Sequence, residues 1–469
     1  MKFVIVGGGI SGWLSALIFS HRKPNHEYVI VESLDINTIG VGEGTTGLFV
    51  QTIEQLPDIN VAEFIRETKA TPKIGIEFNN WSGKGSTFFN PIDGTLTTNE
   101  DFDSFLYFTY IQNSSLDTSS LHGLLKRKNK SPYTEKLKDY NSALHLDNKL
   151  TIQYLKSKSL KRKNIKYISD TVSKIERDET GKVEKIICSN NIIEGDIFID
   201  CTGYSRIFSE KSDWVSFKNN LPMNSVTTFT RKHNVSMVTK ADKLNLGWCW
   251  QIPTQERIGC GYVSCDQWGN SVIDEIKSNY PDAEILKSFK FDSGKLKKSW
   301  NHNVISLGLA YHFLEPLQAT NIHLTLVQID ILCQRCIRQT KDRTLNPDVI
   351  SIYNKHIDNL IEDFKNFINI HYSRDSRVTL TDYNKKIISL LKVRGLFFED
   401  LPQLYGCSGI GLWGHTLLGL NHLTKQECHN FLSEMNLYGE VKEISSELQT
   451  IFKNTSFISY QELIKKLSI

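Results

Sequence analysis

The sequence predicts an α/β fold, with a parallel sheet first, a β-rich middle and a helical C-terminal unit. Three observations predict it. An apolar β-branched run, Phe3–Val6, runs into Gly7, Gly9 and Gly12 at GxGxxG spacing and then an apolar helical run from Trp13. Further short apolar strands follow at Tyr28–Val31, Ile197–Ile199 and Ile305–Ala310. From about residue 340, Ile352, Ile357, Leu360, Ile361, Phe364, Phe367 and Ile368 recur at helical spacing.

The first strand and its glycine turn have a definite chemical use. Gly7 turns the chain, Gly9 lets a pyrophosphate approach the backbone, and Gly12 lets the helix pack on the strand. The pyrophosphate is expected on the N–H groups of Ile10 and Ser11 at the helix start. Glu32 closes the second strand about 20 residues on, where a carboxylate accepts hydrogen bonds from an adenosine ribose. These residues predict a dinucleotide site. Taken alone, they do not separate NAD from FAD.

Bulk properties exclude several classes. The 469 residues carry 55 basic and 52 acidic side chains, a net charge of +3, which argues against a nucleic-acid surface built on charge. The nine cysteines are scattered and odd in number, which suits a reducing cytoplasm. Cys333-x-x-Cys336 lies in an apolar helical run with no second pair and reads as core packing, so no metal is expected. The chain starts on a strand, so no signal peptide is expected. No apolar run reaches the ~18 residues of a membrane span.

Taken in order, Asn37–Thr46 packs Gly40, Gly42 and Gly44 beside Ile39 and Val41, and reads as a mobile strap near the cofactor. Residues 49–66 read as helical. Within Thr71–Trp81 a strand is expected to start at Lys73, with Lys73, Gly75, Glu77 and Asn79 on one face. On pattern alone, Lys73 is a surface lysine. An aromatic cluster at Phe102, Phe105, Tyr107, Phe108 and Tyr110 fills a core or lines a cavity. Ile152–Leu160 is helical, and the turn at Asp178–Gly181 marks a hairpin. Gly195–Gly203 returns to the cofactor sheet. A small β insertion between two Rossmann parts is typical of flavoproteins and favours FAD. In Gly247–Pro253 a period of two puts Trp248 and Trp250 on one face as stacked indoles, and Arg257–Val263 returns antiparallel. The loop Phe313–Asn321 precedes a long helix from Ile322 and offers N–H groups for an anion. Ser459-x-x-Glu462 is a capping box for the last helix.

Together GGGISGW, VGEGTT, the Lys73 strand ending in NNW, DCTG, GWCWQIP with GCGYVS, and GLAYHFLEPLQAT resemble the flavin-dependent tryptophan-type halogenases. The resemblance runs in order to about residue 335. It implies a two-part FAD-binding, flavin-monooxygenase-type fold: a core over 1–335 with β substrate regions at about 70–150 and 210–300, then a helical lid over 336–469.

The resemblance also implies a chemistry. A separate flavin reductase supplies reduced FAD, and with O2 and halide the enzyme makes hypohalous acid. A tunnel leads this oxidant to a lysine, which delivers it to an electron-rich aromatic substrate. Lys73 matches that lysine, and either a haloamine or a hydrogen-bonded acid needs a buried amine there. Gly7, Gly9, Ser11, Gly12 and Glu32 match FAD contacts, and Gly42, Glu43 and Thr45 match the strap. Val172 matches a position near the adenine, while Leu309 and Ile322 flank the flavin. The backbone of Thr320 and Asn321 matches the halide site. Trp248 and Trp250 match a wall that keeps organic substrate from the flavin.

Two residues depart from the family pattern. Gln318 replaces a glutamate thought to act with the lysine, and an amide is no useful base. His312 stands where a small residue is usual. Both favour bromide or iodide over chloride, and activated rings. No amino-acid pocket is recognisable beyond 335, so a permissive cavity is expected. Two other readings stay open at this point: an aromatic FAD monooxygenase, and a non-catalytic FAD-binding protein. A homo-oligomer is compatible with the sequence.

Overall fold

A computed structural model describes residues 1–36, 42–92, 104–113, 116–234, 236–401 and 410–467. Residues 37–41 of the expected strap and Phe102 lie outside these, as does the Phe105 side chain.

Two sheets organise the molecule. The first has six strands in the order Trp300–Asn301, Val304–Ser306, Ile197–Asp200, Lys2–Val6, Glu27–Glu32 and Ile165–Ser169. All neighbours are parallel except the outermost pair at Trp300–Asn301. Its central strands are largely apolar because both faces are covered. Phe3, Ile5, Tyr28 and Ile30 pack with the helix Ile10–Arg22. Val4, Val6, Val29 and Val31 pack with the hairpin Val172–Arg177/Val183–Cys188 on the other face.

The second sheet has seven strands in the order Glu284–Lys290, Ser225–Lys232, Arg257–Ser264, Gly247–Pro253, Val238–Lys243, Gly75–Asn79 and Thr87–Pro91. Several of its rings, and one beside it, sit over glycines. A Cβ on Gly261 would lie 2.1 Å from the Trp250 ring, one on Gly75 2.3 Å from Phe89, and one on Gly419 2.2 Å from Phe88. Each is far inside contact distance, so only glycine admits the ring.

A third, three-stranded sheet joins distant segments. Ala143–Leu146 lies between Glu43–Gly44 and Thr71–Lys73, antiparallel to both.

The structure corrects three local readings. The helical stretch expected over 49–66 is interrupted, forming two helices, Gly47–Glu54 and Val61–Thr68. Pro57 falls in the break, and Asn60 caps the second helix by accepting from the Glu63 N–H at 2.9 Å. The strand expected to start at Lys73 starts at Gly75 and runs to Asn79, while Lys73 ends a separate strand, Thr71–Lys73, in another sheet. At Ile74 the backbone bonds Met237 and Ile92, which hands the chain from one sheet to the other. The indoles of Trp248 and Trp250 share a face but are tilted by 54° rather than stacked, with centroids 6.0 Å apart.

The C-terminal part is helical, and its first long helix, Pro347–His371, enters the main core. Tyr353, Ile357, Leu360, Ile361, Phe364 and Ile368 pack in one cluster with the helices Ile10–Arg22 and Thr320–Ile331. The strand Phe457–Ser459 pairs with Lys130–Thr134. The Ser459 hydroxyl accepts from the Glu462 N–H at 3.2 Å, one half of the expected capping box. Cys333 and Cys336 are buried, and burial pushes their thiols up to about 12 and about 11. Among the described residues, no helix is long and apolar enough to cross a membrane.

Candidate active site

One cavity of about 430 Å³ is lined both by the glycine turn after the central strand Lys2–Val6 and by Lys73. The glycine turn forms one end. Gly7 takes φ +118°, in the region that favours glycine, and a Cβ there would lie 2.2 Å from the Cys201 carbonyl oxygen. Gly12 packs its helix against the Gly7 carbonyl, where a Cβ would lie 1.9 Å away. A Cβ on Gly9 would meet nothing within 4 Å, so the backbone there opens onto free space. This is the cradle that a pyrophosphate requires. Glu32 also lines the cavity; its Oε2 accepts from Lys156 at 2.6 Å and Tyr167 at 3.0 Å. Val172 lies at the same end.

Trp248, Trp250, Leu309, Phe313 and Ile322 also line the cavity. Glu43 borders it too, and burial pushes the Glu43 carboxyl up to about 7.

At the other end stands Lys73, 1% exposed. Its Nζ donates to the Thr45 carbonyl oxygen at 2.9 Å. This contact exists because Thr71–Lys73 and Glu43–Gly44 flank the same strand. Gly44 makes room for the ammonium, since a Cβ on it would lie 3.1 Å from Nζ and 3.6 Å from the Ala319 methyl. His145 lies behind Lys73 on the shared strand, fully buried; burial first, and then the Lys73 charge, hold its imidazole well below the usual value. It bridges Thr71 at 3.0 Å and Thr239 at 2.8 Å.

The loop expected to bind an anion closes the same end. Gln318 and Ala319 take φ +65° and +55°, and the helix Thr320–Ile331 begins immediately after. The first-turn N–H groups of a helix have no intrahelical partner. Here they belong to Thr320 and Asn321, both on the cavity wall. The Gln318 amide lies 2.9 Å from Nε2 of His371.

Of the site residues expected from sequence, sixteen line this cavity: Gly7, Gly9, Ile10, Ser11, Glu32, Gly42, Glu43, Lys73, Val172, Trp248, Trp250, Leu309, Gln318, Thr320, Asn321 and Ile322. Gly12 and Thr45 do not. Gly12 packs helix on strand, and Thr45 is fully buried with its N–H and hydroxyl on the Leu144 carbonyl. His312 is also off the cavity. It is buried with both ring nitrogens unpartnered, and burial pushes its imidazole down to about 3.

Sequence reasoning missed four residues here: Gly44, His145, Glu315 and His371. Gly44 was quoted within VGEGTT, yet only its distance to Lys73 gives it a task. Glu315 lines the cavity beside the tryptophan wall, and burial pushes its carboxyl up to about 8. The Tyr372 hydroxyl lies 2.5 Å from its Oε2.

A sequence profile described as tryptophan halogenase matches residues 2–406, well past the 335 at which recognisable motifs stop. Tryptophan 7-halogenase RebH of Lentzea aerocolonigenes is 24% identical over 409 residues, which cover 79% of this chain and 76% of that protein. Two solved structures share the fold. Tryptophan 6-halogenase SttH from Streptomyces toxytricini superposes with a TM-score of 0.85 at 21% identity, covering 99% of each chain. A tryptophan halogenase from Shewanella frigidimarina gives 0.86 at 22% identity, over 100% of this chain and 97% of the other.

Proposed function

Because the chain belongs to the tryptophan halogenase family, we propose that this flavin-dependent halogenase makes hypohalous acid from halide and passes it along its cavity to Lys73. The observation that carries the reading is the cavity itself. A dinucleotide cradle forms one end, and a buried lysine with a helix N-terminus beside it forms the other.

Gly7, Gly9, Ser11, Glu32 and Val172 would hold the adenosine and pyrophosphate of FAD, while Gly42, Glu43, Leu309 and Ile322 would border the flavin. Gly12 and Thr45 serve the same site indirectly, by packing. Bound reduced FAD supplies the electrons with which O2 turns halide into hypohalous acid. The N–H groups of Thr320 and Asn321 suit the halide, because an anion at a helix start satisfies unpaired donors. Trp248 and Trp250 fill the wall and keep an organic ring out of the flavin end.

Lys73 is the delivering group. Its ammonium, fixed by Thr45, would donate to the oxygen of the acid, which leaves as water, and so polarise the halogen toward an electron-rich ring. Gln318 is an acceptor beside it rather than a base. With no carboxylate at position 318 to take the ring proton, the substrate would be an activated aromatic and the halide bromide or iodide in preference to chloride. A separate flavin reductase is the expected electron source.

One reaction set tests this. The protein, FAD, NADH and a generic flavin reductase are combined with indoles, phenols and anilines, and with each halide in turn. We expect halogenated product with bromide and iodide that survives catalase and vanishes in Lys73→Ala. Product that persists in Lys73→Ala overturns delivery by the lysine.

A further inference from the structure

The Gln318 amide cannot turn freely. Its nitrogen lies 2.9 Å from His371 Nε2, and His371 Nδ1 lies 2.8 Å from the Phe367 carbonyl oxygen. A carbonyl only accepts, so Nδ1 carries a hydrogen. His371 is fully buried, and burial pushes its imidazole down to about 4. At neutral pH the ring therefore holds one hydrogen, on Nδ1, and Nε2 is a lone pair. Only the NH2 of Gln318 can face a lone pair. The carbonyl oxygen is then the polar atom that Gln318 presents to the cavity.

The rest of the surroundings enforce this tautomer. The rings of Phe78, Trp81 and Phe367 pack on His371 at centroid distances of 5.1, 6.1 and 5.1 Å. None offers an acceptor for a second ring hydrogen. The adjacent Tyr372 is bonded to Glu315, which burial keeps protonated at neutral pH. No ionised carboxylate is thus directed at the imidazole by these neighbours.

We propose that His371 is a positioning residue: it locks the Gln318 amide so that Oε1 is a fixed acceptor at the Lys73 end of the cavity. The proposal rests on the halogenase reading and adds the residue that orients its amide. It also accounts for the amide. A carboxylate at 318 would set lone pair against lone pair, and could be accommodated only by adding a proton from solvent to His371 or to itself. Gln318 and His371 are a matched neutral pair, contributed by segments 53 residues apart.

The FAD-loaded protein, labelled with ¹⁵N-histidine, gives the first readout, with the His371 signal assigned from its loss in His371→Asn. Wild type is expected to show a neutral Nδ1–H imidazole from pH 5 to 9. In Gln318→Glu the His371 midpoint should rise by at least two pH units. The second readout is brominated product per reduced flavin consumed. His371→Phe should lower it about tenfold, with free oxidant trapped in solution and FAD affinity within twofold of wild type. His371→Gln, whose longer amide reaches the place of Nε2 and accepts the same hydrogen, should recover most of the loss. An Nε2–H tautomer, or unchanged yield in soluble His371→Phe, overturns the proposal. If wild type halogenates nothing, the halogenase reading fails, and the tautomer with its Gln318→Glu shift still decides the pairing.

Discussion

Glu315 is a carboxyl that the fold keeps protonated. Its usual value is near 4.5, and burial raises it to about 8. Between those values the folded state holds a proton that the unfolded state releases. Stability therefore falls as pH rises from about 4.5 to about 8, by at most ~1.4 kcal/mol per pH unit from this group. Glu315→Gln keeps the shape and removes the titration. Its urea midpoint should lose that part of the slope between pH 5 and 8 when compared with wild type; parallel slopes would show that Glu315 titrates normally. Gly44 makes the opposite kind of demand, for empty space. Gly44→Ala would press a methyl on Nζ of Lys73. We expect a fall of ten- to a hundredfold in halogenated product with FAD affinity unchanged, since the glycine touches the lysine and not the dinucleotide turn.

At the scale of elements, the tryptophan strand is seated on its neighbour. Gly261→Ala forces a Cβ into the Trp250 ring at 2.1 Å. Overpacking of this kind costs about 1–3 kcal/mol, read as a lower urea midpoint, together with a changed Trp fluorescence. Such pairings also set what the sequence could disclose. The first strand, its glycine turn and Glu32 are contiguous or nearly so, and both period and spacing expose them. The Lys73 strand was legible as apolar alternation, yet alternation says nothing about which sheet a residue joins. The change of sheet at Ile74 depends on Met237 and Ile92, far away in sequence. Lys73 reads as a surface residue by pattern because its burial comes from Thr45 and Gly44 on another segment. His371 lies in an ordinary apolar helix, and only its ring hydrogen bonds distinguish it from core.

For the whole molecule, the helix Pro347–His371 is part of the interior rather than an appendage. It places six apolar side chains in the main core and carries His371 to Gln318. A chain ending at residue 340 should therefore be insoluble or fail to bind FAD, as judged by gel filtration and flavin absorbance. A soluble, FAD-binding truncation would show that the core closes without it. The glycines beneath Trp250, Phe89 and Phe88 have a wider reach. Every single-base change of a glycine codon that yields another amino acid adds at least a Cβ. In a library of random variants selected only for folding, these three positions should stand out as gaps in tolerance. They would be as intolerant as Lys73 is for activity, although none of the three lines the cavity. A survey of variation alone would thus mark them as functional, and a solubility screen beside the activity screen would sort seats for rings from sites of chemistry.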